Sequence, residues 1–183
     1  ASCLVGSEMC IRDRDYCERG ETMRVSHSRV EVFDRCPYKY RLRYVEGIDT
    51  IPNTDADNAL ILGTALHTGI EEGVEQALDF YKNSFPVLTD DHIHEMMKLE
   101  AMIPKAKAML PPGGTFELPI GNADFIGFMD YLWPCGWDSR TNETLFDLYD
   151  FKYSNNAKNY AVSGQLHEYK YWYCLLYTSP SPR

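Results

Sequence analysis

Apolar positions recur at helical spacing through the first half of the chain and at strand spacing through much of the second. Val30, Phe33, Tyr40 and Tyr44 follow a helical period. Ser26 and Ser28 precede them as N-cap residues, so the spacing predicts a helix running to about Tyr44. Cys36-Pro37 interrupts it, which predicts a kink or two short helices. Residues 46–58 are polar, contain Pro52 and read as a loop. A second helix is expected over residues 58–81, with Ala59, Leu62, Leu66, Ile70, Val74 and Leu78 on one face. Pro86 ends that region. Thr89 or Asp90 then caps a third helix over residues 91–110, stopped by Pro111-Pro112-Gly113-Gly114. Aromatic and β-prone residues dominate 116–120, 124–133 and 144–153, which read as strands. Gly121-Asn122 is a hairpin signal, 134–142 a longer polar connection, and a last helix begins near Val162. Helices, a three-stranded antiparallel unit and a closing helix make an α+β pattern.

Side chains alternate faces along a strand, so Phe146, Leu148, Asp150 and Lys152 are expected to share one side. On the preceding strand Asp124, Ile126, Phe128 and Asp130 share a side in the same way. If these strands pair, Asp130 and Asp150 come close enough to hold one hard cation, because neighbouring carboxylates repel and call for a compensating charge. Lys152 would then stand where it can orient water and offset a phosphate. The plainer reading is a set of exposed strand charges, and Asp-x-Lys alone does not decide between them.

At 183 residues the chain is one domain's length, and 44% hydrophobic with 25% charged residues suits a protein with a real core. No apolar run reaches the roughly 18 residues that span a bilayer, and the N-terminus lacks the build of a signal peptide. The cytoplasm is the default location. A net charge of −9 argues against coating nucleic acid through a broad basic face, though not against an enzyme with a local basic groove.

An ordered series of short motifs shifts the balance. It runs from Ser26-His27-Ser28 through Cys36-Pro37-Tyr38-Lys39-Tyr40, then Gly63-Thr64-Ala65-Leu66-His67. Gly127-Phe128-Met129-Asp130, Asp150-Phe151-Lys152 and Gln165-x-x-x-Tyr169 follow. From about Ser26 to Tyr173 the chain resembles the RecB-like branch of the PD-(D/E)XK nucleases, a group that includes phage and CRISPR-associated exonucleases. The resemblance implies a restriction-endonuclease-like core and a metal-dependent DNA nuclease. It implies His67, Asp130 and Asp150 as ligands of Mg²⁺ or Mn²⁺, with the Phe151 carbonyl as a main-chain ligand. Lys152 would be the catalytic lysine. Gln165 and Tyr169, four apart on a helix and so on one face, would contact phosphate or order the site.

DNA would be the substrate, and recombination or replication proteins the partners. A non-catalytic DNA-binding or scaffold protein with the same fold is the alternative. A further one is an iron–sulfur nuclease of the CRISPR-adaptation type. Some RecB-like relatives hold a [4Fe–4S] cluster with one early cysteine and three late ones. Cys36 stands in the early region but reads first as a buried structural cysteine. His92 and His94, two apart on a helix, read as solvated surface. Glu71 reads as an exposed helix face, and Glu117 as surface or an outer carboxylate.

Both ends resemble translated adaptor from transposon-based DNA library preparation. The tail, residues 174–183, can be coded by DNA whose reverse complement reads through Val5-Gly6-Ser7-Glu8-Met9-Cys10-Ile11-Arg12-Asp13 at the head. Residues 1–14 and 174–183 are therefore expected to be artefact and 15–22 an uncertain leader. The nuclease domain would be 23–173, truncated at its C-terminus. Three of the six cysteines (Cys3, Cys10 and Cys174) would go with the adaptor, leaving Cys17, Cys36 and Cys135 and little basis for a disulfide framework. Any late cluster cysteines would fall beyond this chain.

Overall fold

A computed structural model of the protein describes residues 24–154 and 164–177. The described chain divides into two compact units, one holding residues 52–116 and 130–154, the other 24–51, 117–129 and 164–177. The elements in order are α1 (His27–Arg35), α2 (Pro37–Tyr40), a π-helical turn (Arg41–Val45), α3 (Ala59–Glu71), α4 (Val74–Asn83) and α5 (Asp90–Ala108). Then come β1 (Thr115–Gly121), β2 (Ile126–Asp138), β3 (Glu143–Tyr149) and α6 (Gln165–Tyr177). The sheet order is β1-β2-β3, with β2 and β3 antiparallel, so the α+β architecture expected from the residue pattern is the one observed.

In the first unit, α3, α4 and α5 enclose the core. Ile61, Leu62, Ala65, Leu66 and Ile70 of α3 meet Ala77 and Tyr81 of α4 and Leu99 and Ile103 of α5, with Phe85 between the last two helices. The single helix expected over 58–81 is two. Gly73 adopts φ 131°, a conformation closed to most L-residues, and breaks the run. Of the expected face Ala59 is exposed and Val74 and Leu78 are half-buried, while Ala77 and Tyr81 carry the core face of α4. Asn58 caps α3 by accepting from the Leu60 N–H. Thr89 caps α5, and its partner is His92: the Thr89 hydroxyl and N–H both meet His92 Nδ1, at 2.8 and 3.2 Å. His92 is 4% exposed and packs edge-on against Phe85 at 4.4 Å, so it is a buried capping residue rather than solvated surface. His94 is exposed as expected.

The strands depart from expectation at their ends. β2 runs on to Asp138 through the segment expected as a connection, with a register shift between Pro134 and Gly136 that admits the proline into the strand. β3 stops at Tyr149, so Asp150 and Lys152 lie beyond the strand that was expected to carry them. Tyr131 of β2 accepts a bond from the Gly114 N–H at 2.9 Å and donates to the Pro111 carbonyl, tying the stretch after α5 to the sheet.

In the second unit, Ser26 Oγ caps α1 by accepting from the Arg29 N–H. Cys36 ends α1 in extended backbone, and its sulfur accepts from the Lys39 N–H at 3.5 Å to begin α2, with Pro37 in the first turn. The interruption at Cys36-Pro37 therefore makes two short helices, and the half-buried thiol serves as a cap. Val25 bridges to Phe125 in parallel fashion, and the Phe125 ring stacks on Trp172 at 5.0 Å.

A close helix approach lies two residues after His67. A β-carbon on Gly69 would overlap Ile103 Cδ1 and stand 2.8 Å from Ile103 Cγ1 and 3.0 Å from Ala77 Cβ. Gly69→Ala is expected to destabilise the protein by about 1–3 kcal/mol through overpacking. Adding Ile103→Val should recover part of that loss, measured by urea unfolding of the two single variants and the double. A Gly69→Ala protein as stable as the wild type would show that α3 and α5 have room to spare.

Candidate metal and cutting centre

Five of the seven residues expected at the site fall in the first unit and come together there. β2 delivers Asp130, and its register sets Tyr131 opposite Tyr149. The ladder ends there, and Asp150, the next residue, lies near enough to Asp130 for its charge to be felt by that carboxyl. α3 delivers His67 between the buried Leu66 and Ile70.

The peptide of Phe151 joins the two. Its N–H donates to Asp130 Oδ2 at 2.6 Å, and its carbonyl faces His67 Nε2 at 2.8 Å. A carbonyl only accepts, so Nε2 carries the proton and donates. The other ring nitrogen, Nδ1, lies 3.6 Å from Asp130 Oδ1, beyond hydrogen-bond length. These bonds explain why β3 ends where it does. Both backbone groups of Phe151, which a strand would spend on its ladder, are taken by side chains of the site. Asp150 and Lys152 nevertheless stay on one side, with Lys152 Nζ donating to Asp150 Oδ1 at 2.9 Å.

Burial dominates the electrostatics of Asp130, whose side chain is only 10% exposed. It pushes the carboxyl up from 3.8 to about 6. Among the other influences, His67, the Phe151 N–H and Lys152 pull it down while Asp150 pushes it up. Two neighbouring carboxylates, one of them desolvated, make a pair that a cation would relieve. The donor set is an imidazole, two carboxylates and a main-chain carbonyl. This fits a hard divalent ion such as Mg²⁺ or Mn²⁺, with His67, Asp130, Asp150 and the Phe151 carbonyl as the groups that would hold it.

Gln165 and Tyr169 lie on α6 in the second unit. They share a face there, as their spacing predicted: Gln165 Nε2 donates to the Tyr169 hydroxyl at 2.8 Å, and Tyr169 is 4% exposed. Glu71 is exposed. Glu117 on β1 has left-handed backbone at φ 48°, a strained state of the kind that collects at functional positions. Nothing in its sequence surroundings signals that strain. Nor does any residue pattern signal the two bonds of the Phe151 peptide, because one of its partners lies 84 positions away.

The raised pKa of Asp130 makes the site a cost to folding. Below about pH 4 the carboxyl is protonated in both folded and unfolded chains and no penalty arises. As pH rises from about 4 to about 6 the unfolded chain ionises first, and stability falls by on the order of 3 kcal/mol before levelling off. In chelator at pH 7.5, Asp130→Asn should therefore melt higher than the wild type, with the gap closing below pH 4. A variant no more stable at pH 7.5 would remove burial as the leading influence.

The model of one protein family, described as the PD-(D/E)XK nuclease superfamily, matches residues 24–180. No curated protein and no solved structure matches the chain. The matched span takes in the Asp130 and Asp150-Phe151-Lys152 constellation whose geometry is given above, and the chain belongs to the PD-(D/E)XK nuclease superfamily.

Proposed function

We propose that the protein is a divalent-metal-dependent deoxyribonuclease that acts as an exonuclease in phage or bacterial DNA recombination, repair or replication. The observation that carries this reading is the Phe151 peptide clamped between Asp130 and His67, with the Asp150–Lys152 pair beside it. The family supports hydrolysis of nucleic acid. The neighbouring carboxylates and hard donor set support a metal-dependent route to it.

In this reading the reaction is attack of water on a phosphodiester, with the P–O bond to the leaving oxygen breaking in line. A divalent ion at the site would supply Lewis acidity, drawing charge from the phosphoryl oxygen and making water a better nucleophile near neutral pH. Lys152 is held by Asp150 on the side where substrate would approach. Its ammonium orients the attacking water and offsets phosphate charge. His67 is fixed in one tautomer by the Phe151 carbonyl. Gln165 and Tyr169 act as a pair, contacting phosphate or ordering neighbouring groups. Because the chain carries a net charge of −9, contact with DNA comes from local cationic groups such as Lys152 rather than from the field of the whole protein. Among the described residues no helix is long and apolar enough to cross a membrane, and the bacterial cytoplasm is the setting we propose.

Lys152→Ala should bind Mn²⁺ as the wild type does by calorimetry, yet cut linear duplex DNA about a hundredfold more slowly or worse. Asp130→Ala should lose both binding and cutting. A fully active Asp130→Ala protein overturns the assignment of the centre. Covalently closed circular DNA should be spared while the same molecule, linearised, is degraded. Cutting of the closed circle rejects the exonuclease part alone.

A further inference from the structure

The segment that carries the cutting chemistry has left the sheet, so something other than a strand ladder must set its rotation. β3 ends at Tyr149, and residues 150–154 have no regular structure. Two of the bonds holding this segment, those to the Phe151 peptide, come from Asp130 and His67, which are themselves candidate ligands. A third attachment is independent of them. The Tyr153 hydroxyl donates to Glu95 Oε2 at 2.9 Å, and the other Glu95 oxygen takes Lys98 Nζ at 2.6 Å.

Glu95 is well placed to anchor. Its side chain is 12% exposed, and it belongs to α5, the 19-residue helix whose Leu99 and Ile103 are buried in the core. The segment keeps strand-like alternation although it has left the strand. Phe151 and Tyr153 pack against the core cluster, while Lys152, between them, reaches Asp150. Fixing Tyr153 therefore fixes which way Lys152 points. A phenylalanine at 153 would fill the same space in the core, so packing alone does not require the hydroxyl.

We propose that Tyr153 and Glu95 are positioning residues of the cutting centre, the Tyr153–Glu95 bond holding the Asp150–Lys152 segment in its working rotation. The inference rests on the nuclease reading above. It adds a part of α5 to the site through a contact that involves neither metal nor substrate.

The test is steady-state cutting of linear duplex DNA in Mn²⁺ by Tyr153→Phe, Glu95→Ala, their double and Glu95→Gln, with calorimetric Mn²⁺ affinity and Tm measured on each. Tyr153→Phe and Glu95→Ala should each lower kcat about tenfold, the scale of one lost hydrogen bond, with KM for DNA and Mn²⁺ affinity unchanged. The double should be no slower than either single, because both remove one shared contact. Glu95→Gln still accepts from the phenol and should restore most of what Glu95→Ala loses. Wild-type kcat in Tyr153→Phe, or losses that multiply in the double, overturns the proposal. So does a kcat deficit that Glu95→Gln fails to relieve. Lys152→Ala run alongside separates the two readings. If it cuts at the wild-type rate, the nuclease reading itself has failed. If it is inactive while Tyr153→Phe is unimpaired, only the positioning role has failed.

Discussion

The peptide of Phe151 is the joint on which the centre turns. A buried carboxylate is costly unless its oxygens find donors, and Asp130 finds one in a backbone N–H rather than in another side chain. The carbonyl of the same residue receives His67. One residue thereby connects the end of the sheet to α3 and sets the spacing between a carboxylate and an imidazole. Backbone atoms have few ways to move once their neighbours pack, and the Phe151 side chain lies against the core cluster. Although residues 150–154 have no regular structure, the site's geometry is therefore tied to the core, the condition under which reactive groups can be held tightly.

The helical core serves the same end from the other side. His67 follows Leu66, which is buried, and precedes Gly69, where α3 packs closely on Ile103 of α5. Close packing transmits small displacements, so the backbone of α3 beside His67 is held by Ile103 and Ala77 at Gly69. Stability and reactivity pull against each other at Asp130. The burial that makes its carboxyl hard to ionise also leaves it in want of a cation.

Much of this was legible in the sequence, and the parts that were not share a cause. The stripe through Leu62, Leu66 and Ile70 gave the core face of α3, but Ala59 at its start is exposed. Beyond the break at Gly73 the fully buried residues are Ala77 and Tyr81 rather than Val74 and Leu78. Alternation along the strands gave Asp150 and Lys152 one orientation, and the two side chains do meet although the strand that was expected to carry them stops at Tyr149. The spacing of Gln165 and Tyr169 gave their shared face. What failed was anything decided by a partner distant in the chain or by an uncommon cap. β3 ends early because His67 and Asp130 take the Phe151 peptide, and no local pattern carries that information. His92 looked solvated because a capping box is ordinarily read from Glu or Gln at that position, whereas here an imidazole fills it.

The Phe151 joint also divides the demands made on that position between two alphabets. Its side chain answers to the core, which asks for apolar bulk and would take several residues nearly as well. Its contribution to the centre is made by the N–H and carbonyl, which every residue but one possesses in full. Only proline lacks the N–H that Asp130 receives. The middle letter of Asp-x-Lys is thus permissive in chemistry and strict in backbone. A position that looks blank in a motif can be the one that holds it together.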